Sequence, residues 1–317
     1  MYYDECVADD TTLRNIVLSI HPDVRPLVES WVRSLRAEGR SHRTIENYAM
    51  AVRALTRWAD ENGAPIEPTR QTTDHLRRFV ADELDRNARG SVVLRYRCLQ
   101  QWFKWLIVED ELDVSPMAKM KAPALDEVVV PVLSEDQLKN LLAATSGRDW
   151  LERRDHAIIR TFVDTGMRMG ELVGLRLVDV DLDRQTLLVV GTKNRRDRLA
   201  SIGDKTAVAL DRYIRARDRR PHAASPMLWL GTRGTLGSNG VGAMLRVRGE
   251  QAGVNDLHAH RFRHTAAHRW LAAGGQEGDL MRLAGWKNPA MLQRYGRSAA
   301  EERARDAHKR LRLGDSL

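Results

Sequence analysis

Three prolines, Pro116, Pro123 and Pro131, fall in one short stretch without helical period and separate two very different parts of the chain. Proline fixes φ and removes a backbone donor, so a run spaced this way belongs to neither a continuous helix nor a central strand. Residues 115–131 therefore read as a linker, and 317 residues suffice for a buried core on each side of it. Ahead of the linker the apolar periods are helical. Leu27, Trp31 and Leu35 recur at fours, and Gly39-Arg40 breaks the run. Ser41 is placed to cap a helix carrying Ile45, Tyr48, Val52, Leu55 and Trp58 on one stripe. Asn62-Gly63, Pro65 and Pro68 punctuate before Leu76, Phe79, Val80 and Leu84; Val92 to Val108 supplies a further helix. The expectation is a four-helix module over 21–114, preceded by an acidic extension, 1–20, that is mobile or weakly helical.

Beyond the linker, Ser134 and Gln137 form a capping-box pattern ahead of Leu138, Leu141 and Leu142, opening a second domain over 132–317. Its pattern is helical through Ile158, Ile159, Phe162 and Val163. Leu187–Val190 and Leu199–Ile202 then flank the polar turn Gly191–Arg198 as a β-hairpin, and helices follow to the end. The fold class expected is mainly α with a small β-hairpin or sheet in the second domain, an α+β arrangement.

Charge divides the same way. Residues 1–130 hold 18 Lys and Arg against 21 Asp and Glu, net −3, while residues 131–317 hold 33 against 22, net +11. Cations gathered on one module suit a phosphate-bearing partner, although Arg-rich composition alone gives similar numbers. No run approaches the roughly 20 apolar residues of a membrane span, and MYYDECVADD lacks the basic and apolar regions of a signal peptide. A cytoplasmic, nucleoid-associated protein is expected. Cys6 and Cys98 form no CxxC, which leaves thiolate zinc and disulfide chemistry unsupported.

Four segments of the second domain carry chemistry. In Thr165-Gly166-Met167-Arg168-Met169-Gly170-Glu171, a spacing of three lets Glu171 hold the Arg168 guanidinium; alone, this is equally a helix-surface ion pair. Lys193, in a turn with Arg195 and Arg196, can deliver an ammonium to an oxygen or simply be solvated. Residues 257–268 hold four histidines. His260/His264 and His264/His268 have zinc spacing, but no Cys or HExxH accompanies them, and the interleaved Arg261, Arg263 and Arg269 suit an anion instead. His260 and Arg263, three apart, form a cationic pair for one phosphate. Finally Leu283-Ala284-Gly285-Trp286-Lys287-Asn288-Pro289 leads to Tyr295, flanked by Arg294 and Arg297. Nearby cations lower a phenol's pKa and favour nucleophilic use, while a structural tyrosine fits the segment as well. Asp179, Asp181 and Asp183 imitate an EF-hand, but Arg184 and Val190 occupy its glycine and final glutamate positions. Gly231 to Gly242 lacks the GK[ST] of a Walker loop and reads as a solvent loop.

Taken in order, Arg168, Lys193, His260, Arg263, Trp286 and Tyr295 resemble the active-site series of the tyrosine recombinases, the family of phage integrases, Xer recombinases and Cre. The family forms T-G-x-R-x-x-E, a hairpin lysine, H-x-x-R-H-T, and L-G-[HW] with tyrosine nine residues on all have counterparts here. The likeness covers 21–317, since the first module with Ser41, Thr44 and Tyr48 is similar to the family's core-binding domain. The usual Leu-Gly-His reads Ala284-Gly285-Trp286, and an extension of about 20 residues is shorter than a separate arm-binding domain.

The resemblance implies a clamp-like two-domain enzyme that needs no metal or other cofactor. Arg168 and Arg263 bind the scissile phosphate with a hydrogen bond from Trp286, and Tyr295 attacks to form a 3′-phosphotyrosyl bond. Lys193 protonates the leaving 5′ oxygen, and His260 assists proton movement. Glu171 orients Arg168 and His264 supports it. Ser41, Arg43, Thr44, Lys119, Lys121, Arg195 and Arg196 are the DNA-contact candidates. The implied partners are double-stranded DNA sites, four protomers joined through a Holliday junction, and an accessory directionality factor. The tail from Ala299, with its stripe of Ala304, Ala307 and Leu311, docks on a neighbouring protomer or on its own subunit. A type IB topoisomerase-like nicking-closing enzyme and a catalytically idle DNA-binding regulator are the alternatives. DNA affinity should fall steeply as salt rises through counterion release; a flat response in a titration of binding against salt would contradict the cationic surface.

Overall fold

A computed structural model describes residues 3–124, 131–191, 197–286, 305 and 308–310, with side chains from Thr11 onward. The chain divides into two units, Met1–Glu127 and Val128–Leu317. The first holds α1 (Tyr3–Leu18), α2 (Arg25–Ala37), α3 (His42–Glu61), α4 (Thr73–Arg86) and α5 (Arg89–Val108). Local signals set these bounds. Pro26 opens α2, where its missing N–H is no loss, and Ser41 accepts the Thr44 amide at 3.1 Å to start α3. The apolar stripes of α2, α3 and α5 meet at Trp31, whose ring stacks on Tyr48 and tilts against Trp102, with centroids 5.1 and 5.0 Å away.

Two expectations about this unit are corrected. Leu13, Ile16, Val17 and Ile20 are buried in the same core, and α1 packs on α3, so 1–20 is not a free extension. The four helices expected over 21–114 are α2 to α5, and α1 adds a fifth to the same core. The acidic first ten residues obscured a stripe whose spacing of three and four is helical. The linker also begins later than Ser115. Met117 is buried in this core, and Thr73 donates its hydroxyl to the Pro116 carbonyl at 2.7 Å.

The second unit contains α6 (Glu135–Ala143), α7 (Trp150–Thr165), α8 (Met169–Val173), β1 (Val180–Asp181), β2 (Thr186–Val189) and β3 (Arg198–Ser201). After these come α9 (Asp204–Arg217), β4 (Leu230–Gly231), β5 (Gly234–Thr235), α10 (Ser238–Gln251), α11 (Ala259–Ala272) and α12 (Glu277–Ala284). The expected hairpin is the β2–β3 pair, and β1 adds a third antiparallel strand. Leu187, Val189 and Ala200 turn one face of this sheet into the core. Gly231 to Gly242 is not a solvent loop: it forms the β4–β5 hairpin and the first turns of α10. Asp179 of the EF-hand-like triplet is buried and accepts three bonds from Arg176.

α7 lies at the centre, packed on α9 and α11, with Ile158, Ile159 and Phe162 fully buried. Arg217, with no exposed surface, donates to the carbonyls of Ala223, Ser225, Met227 and Leu228 and fixes the segment that leads into β4. A smaller cluster of Ala267, Leu271, Leu280, Ala284 and Trp286 joins α11 to α12. No described helix is long and apolar enough to cross a membrane. Because Ile20 is 1% exposed, Ile20→Ala should cost about 2–4 kcal/mol in urea unfolding; a change near zero would restore the free-extension reading.

Candidate active site

Helix α7 ends at Gly166, whose φ of 55° is the left-handed cap that glycine adopts without strain. A Cβ there would also stand 2.9 Å from the Ala266 Cβ on α11, so the glycine serves both the turn and the helix contact. Two residues later Arg168 precedes α8 as its N-cap, with Glu171 at the third helical position. The pair is therefore not stacked on one helical face, as the spacing of three suggested. Instead Glu171 Oε2 accepts the Arg168 backbone amide at 2.9 Å, and Oε1 accepts Arg168 Nη1 at 2.7 Å.

A further arginine enters from β3. Arg198 Nη2 donates to Glu171 Oε2 at 2.9 Å, and both side chains are 12% exposed. Burial raises the Glu171 pKa, but the Arg168 amide, the Arg198 charge and the Arg168 guanidinium together outweigh it and hold the carboxyl below its ordinary value. Arg168, with 24% of its side chain exposed, is the more open of the two cations.

Arg263 joins two corners of the site. From α11 its Nη1 donates to the Gly166 carbonyl at 2.8 Å and its Nη2 to the Ala284 carbonyl at 2.7 Å. The guanidinium lies 5.1 Å from the Trp286 ring centroid, a cation–π contact, and the residue is only 2% exposed. Helix α12 closes at Gly285, again left-handed with φ 64°. A Cβ at Gly285 would lie 3.3 Å from Arg198 Nε and 3.9 Å from Arg168 Nη1. His260 is exposed in the first turn of α11, where the helix dipole favours an anion, and its ring meets that of buried His264 edge-on at 5.9 Å.

Arg168, Glu171, Arg263 and Trp286 thus converge with Arg198, Gly166 and Gly285, which the sequence reading did not single out. The glycines had a signal: each directly follows an apolar helical run. Lys193, Arg195, Arg196 and Tyr295, with the tail stripe of Ala304, Ala307 and Leu311, lie outside the described residues. In the first unit Ser41 caps α3, its hydroxyl 2.6 Å from that of Thr44, and Arg43 is largely exposed beside Glu46. Lys119 and Lys121 are exposed. No group of His, Cys, Asp and Glu among the described residues is placed to hold a metal.

Known proteins resemble the chain in sequence and in fold. Residues 131–302 match the model of the phage integrase family, and residues 28–110 match the N-terminal SAM-like domain of phage integrases. The chain belongs to the phage integrase family. It is a site-specific tyrosine recombinase, an enzyme of DNA strand transfer. Among its relatives, tyrosine recombinase XerC of Actinobacillus pleuropneumoniae serotype 7 (strain AP76) is 27% identical over 258 residues, 80% of this chain and 83% of that protein. The fold is that of XerH site-specific recombinase in a post-cleavage complex with palindromic difH substrate: TM-score 0.72, 14% identity, 95% of this chain and 94% of the other. It is also that of a lambda integrase tetramer bound to a Holliday junction: TM-score 0.64, 20% identity, 84% and 77% covered.

Because the Glu171 pKa is depressed, its share of stability is present above the unfolded carboxyl value, near 4.5, and is lost as pH falls through the folded value. Glu171→Gln should therefore be less stable than wild type at neutral pH, the gap closing in acid. Parallel thermal midpoints across that range would contradict the ion-pair geometry.

Proposed function

We propose that this recombinase cleaves one strand of duplex DNA by attack of Tyr295 on a phosphate held beside Arg168, leaving a 3′-phosphotyrosyl bond. The observation that carries this reading is the fixed presentation of Arg168. Its carboxylate partner is itself held by a second arginine, so the guanidinium is oriented before any phosphate arrives. In the pentacoordinate transition state negative charge grows on the nonbridging oxygens, where a preset guanidinium is worth most. Arg263, anchored to the carbonyls of Gly166 and Ala284, adds positive charge from a buried position, and Trp286 shields and braces it. Lys193 protonates the departing 5′ oxygen, and His260 moves the proton at the phenol or phosphate. His264 backs His260 ring against ring. The bond energy stays in the phosphotyrosyl link, and a 5′-hydroxyl of the partner duplex reverses the step.

On this reading both units, Met1–Glu127 and Val128–Leu317, bind the DNA. Arg43, Lys119, Lys121, Arg195 and Arg196 meet phosphates, while Ser41 and Thr44 contribute from the start of α3. Four protomers exchange C-terminal tails on a Holliday junction, as the lambda integrase tetramer is bound to one, and an accessory factor sets direction. The alternatives separate by experiment. Incubation with nicked duplexes from the DNA flanking its gene should yield a denaturant-resistant adduct with wild type and none with Tyr295→Phe. Arg168→Ala should slow its formation by about 10²–10³-fold. Tight binding without an adduct would favour the idle regulator, and supercoil relaxation without recombinant products the nicking-closing enzyme.

A further inference from the structure

On β3 the residues alternate, and the register pairs Leu187 with Ala200 and Val189 with Arg198. Opposed residues of an antiparallel pair share a face, so Arg198 stands with Leu187, Val189 and Ala200 on the core side of the hairpin. A guanidinium at an inward position requires hydrogen-bond acceptors, and the Glu171 carboxylate supplies one at 2.9 Å. The same carboxylate holds the Arg168 guanidinium at 2.7 Å and the Arg168 amide at 2.9 Å. Arg198 also approaches the Gly285 corner, where its Nε lies 3.3 Å from the position of a Cβ. It therefore touches the root of the hairpin whose turn carries Lys193, the start of α8, and the end of α12.

We propose that Arg198 is a positioning residue for strand cleavage. By fixing Glu171 it presents Arg168 to the scissile phosphate in one orientation, and it ties the hairpin root to that arginine. This rests on the reading of Arg168 as a phosphate ligand. A carboxylate held only by Arg168 would move with its partner; a second cation on Oε2, reaching from a strand of the central sheet, pins it to the scaffold. Arg198 is only 12% exposed and is turned to Glu171, so on this proposal its loss acts on the rate of the chemical step and not on the affinity for the site.

The test is single-turnover adduct formation on a nicked duplex at saturating protein, with DNA affinity measured beside it for Arg198→Ala, Arg198→Lys, Glu171→Gln and the double variant Arg198→Ala/Glu171→Gln. Arg198→Ala should slow cleavage by about 10²-fold, with affinity changed by less than about threefold. Arg198→Lys, which keeps the inward charge and the fold, should recover most of that loss but not all, because an ammonium lacks the planar fork. The double variant should cleave no more slowly than Glu171→Gln, since both changes remove one unit. A wild-type rate in Arg198→Ala, losses that multiply in the double variant, or affinity falling in step with rate would each overturn the proposal. Should Arg198→Ala fail to fold, Arg198→Lys cleaving as fast as wild type at equal affinity would do the same. If Arg168→Ala cleaves as fast as wild type, the underlying reading fails and takes this proposal with it.

Discussion

One carboxylate organises the candidate active site. Glu171 accepts from the Arg168 amide, the Arg168 guanidinium and the Arg198 guanidinium, and it is largely withdrawn from water. Removing one member of a buried charge group typically costs about 3–5 kcal/mol, because the others remain desolvated and unpaired. The positive charge of the candidate site is thus assembled around a negative one. Without Glu171 the Arg168 and Arg198 guanidinium groups would lose the counter-charge that they share.

Arg263 acts at longer range. Its two bonds reach the carbonyls at Gly166 and Ala284, at the ends of α7 and α12, and both helices close on a left-handed glycine. These corners bring together parts of the chain more than a hundred residues apart. The main core around Phe162 and the smaller cluster around Trp286 are joined at α11, the helix that carries Arg263.

The legibility of these features in the sequence follows their physics. Trp31, Leu55, Ile158 and Phe162 announce their helices because burial of an apolar stripe leaves a period. Arg168, Glu171, Arg263 and Trp286 could be named through the resemblance of their order to the tyrosine recombinase series, although the capping geometry of Arg168 and Glu171 could not, since a spacing of three fits a helix face and an N-cap equally. Arg198 was concealed in a charged run, Arg195-Arg196-Asp197-Arg198, and only the strand register shows that it faces inward. Arg217 was less accessible still. It stands among Arg215, Arg219 and Arg220 and differs from them only through carbonyls of residues 223–228 that fold back over it. Long-range pairing of a charge with main-chain atoms leaves no local pattern.

That Arg263 addresses main-chain oxygens has a corollary. A bond to a carbonyl places no demand on the side chain borne by the same residue, so Ala284 is constrained by its packing in the cluster with Trp286 and not by its contact with Arg263. Gly166 and Gly285 have no such latitude, because their backbone angles are part of the design. Backbone torsion therefore fixes some positions of this site and side-chain chemistry fixes others.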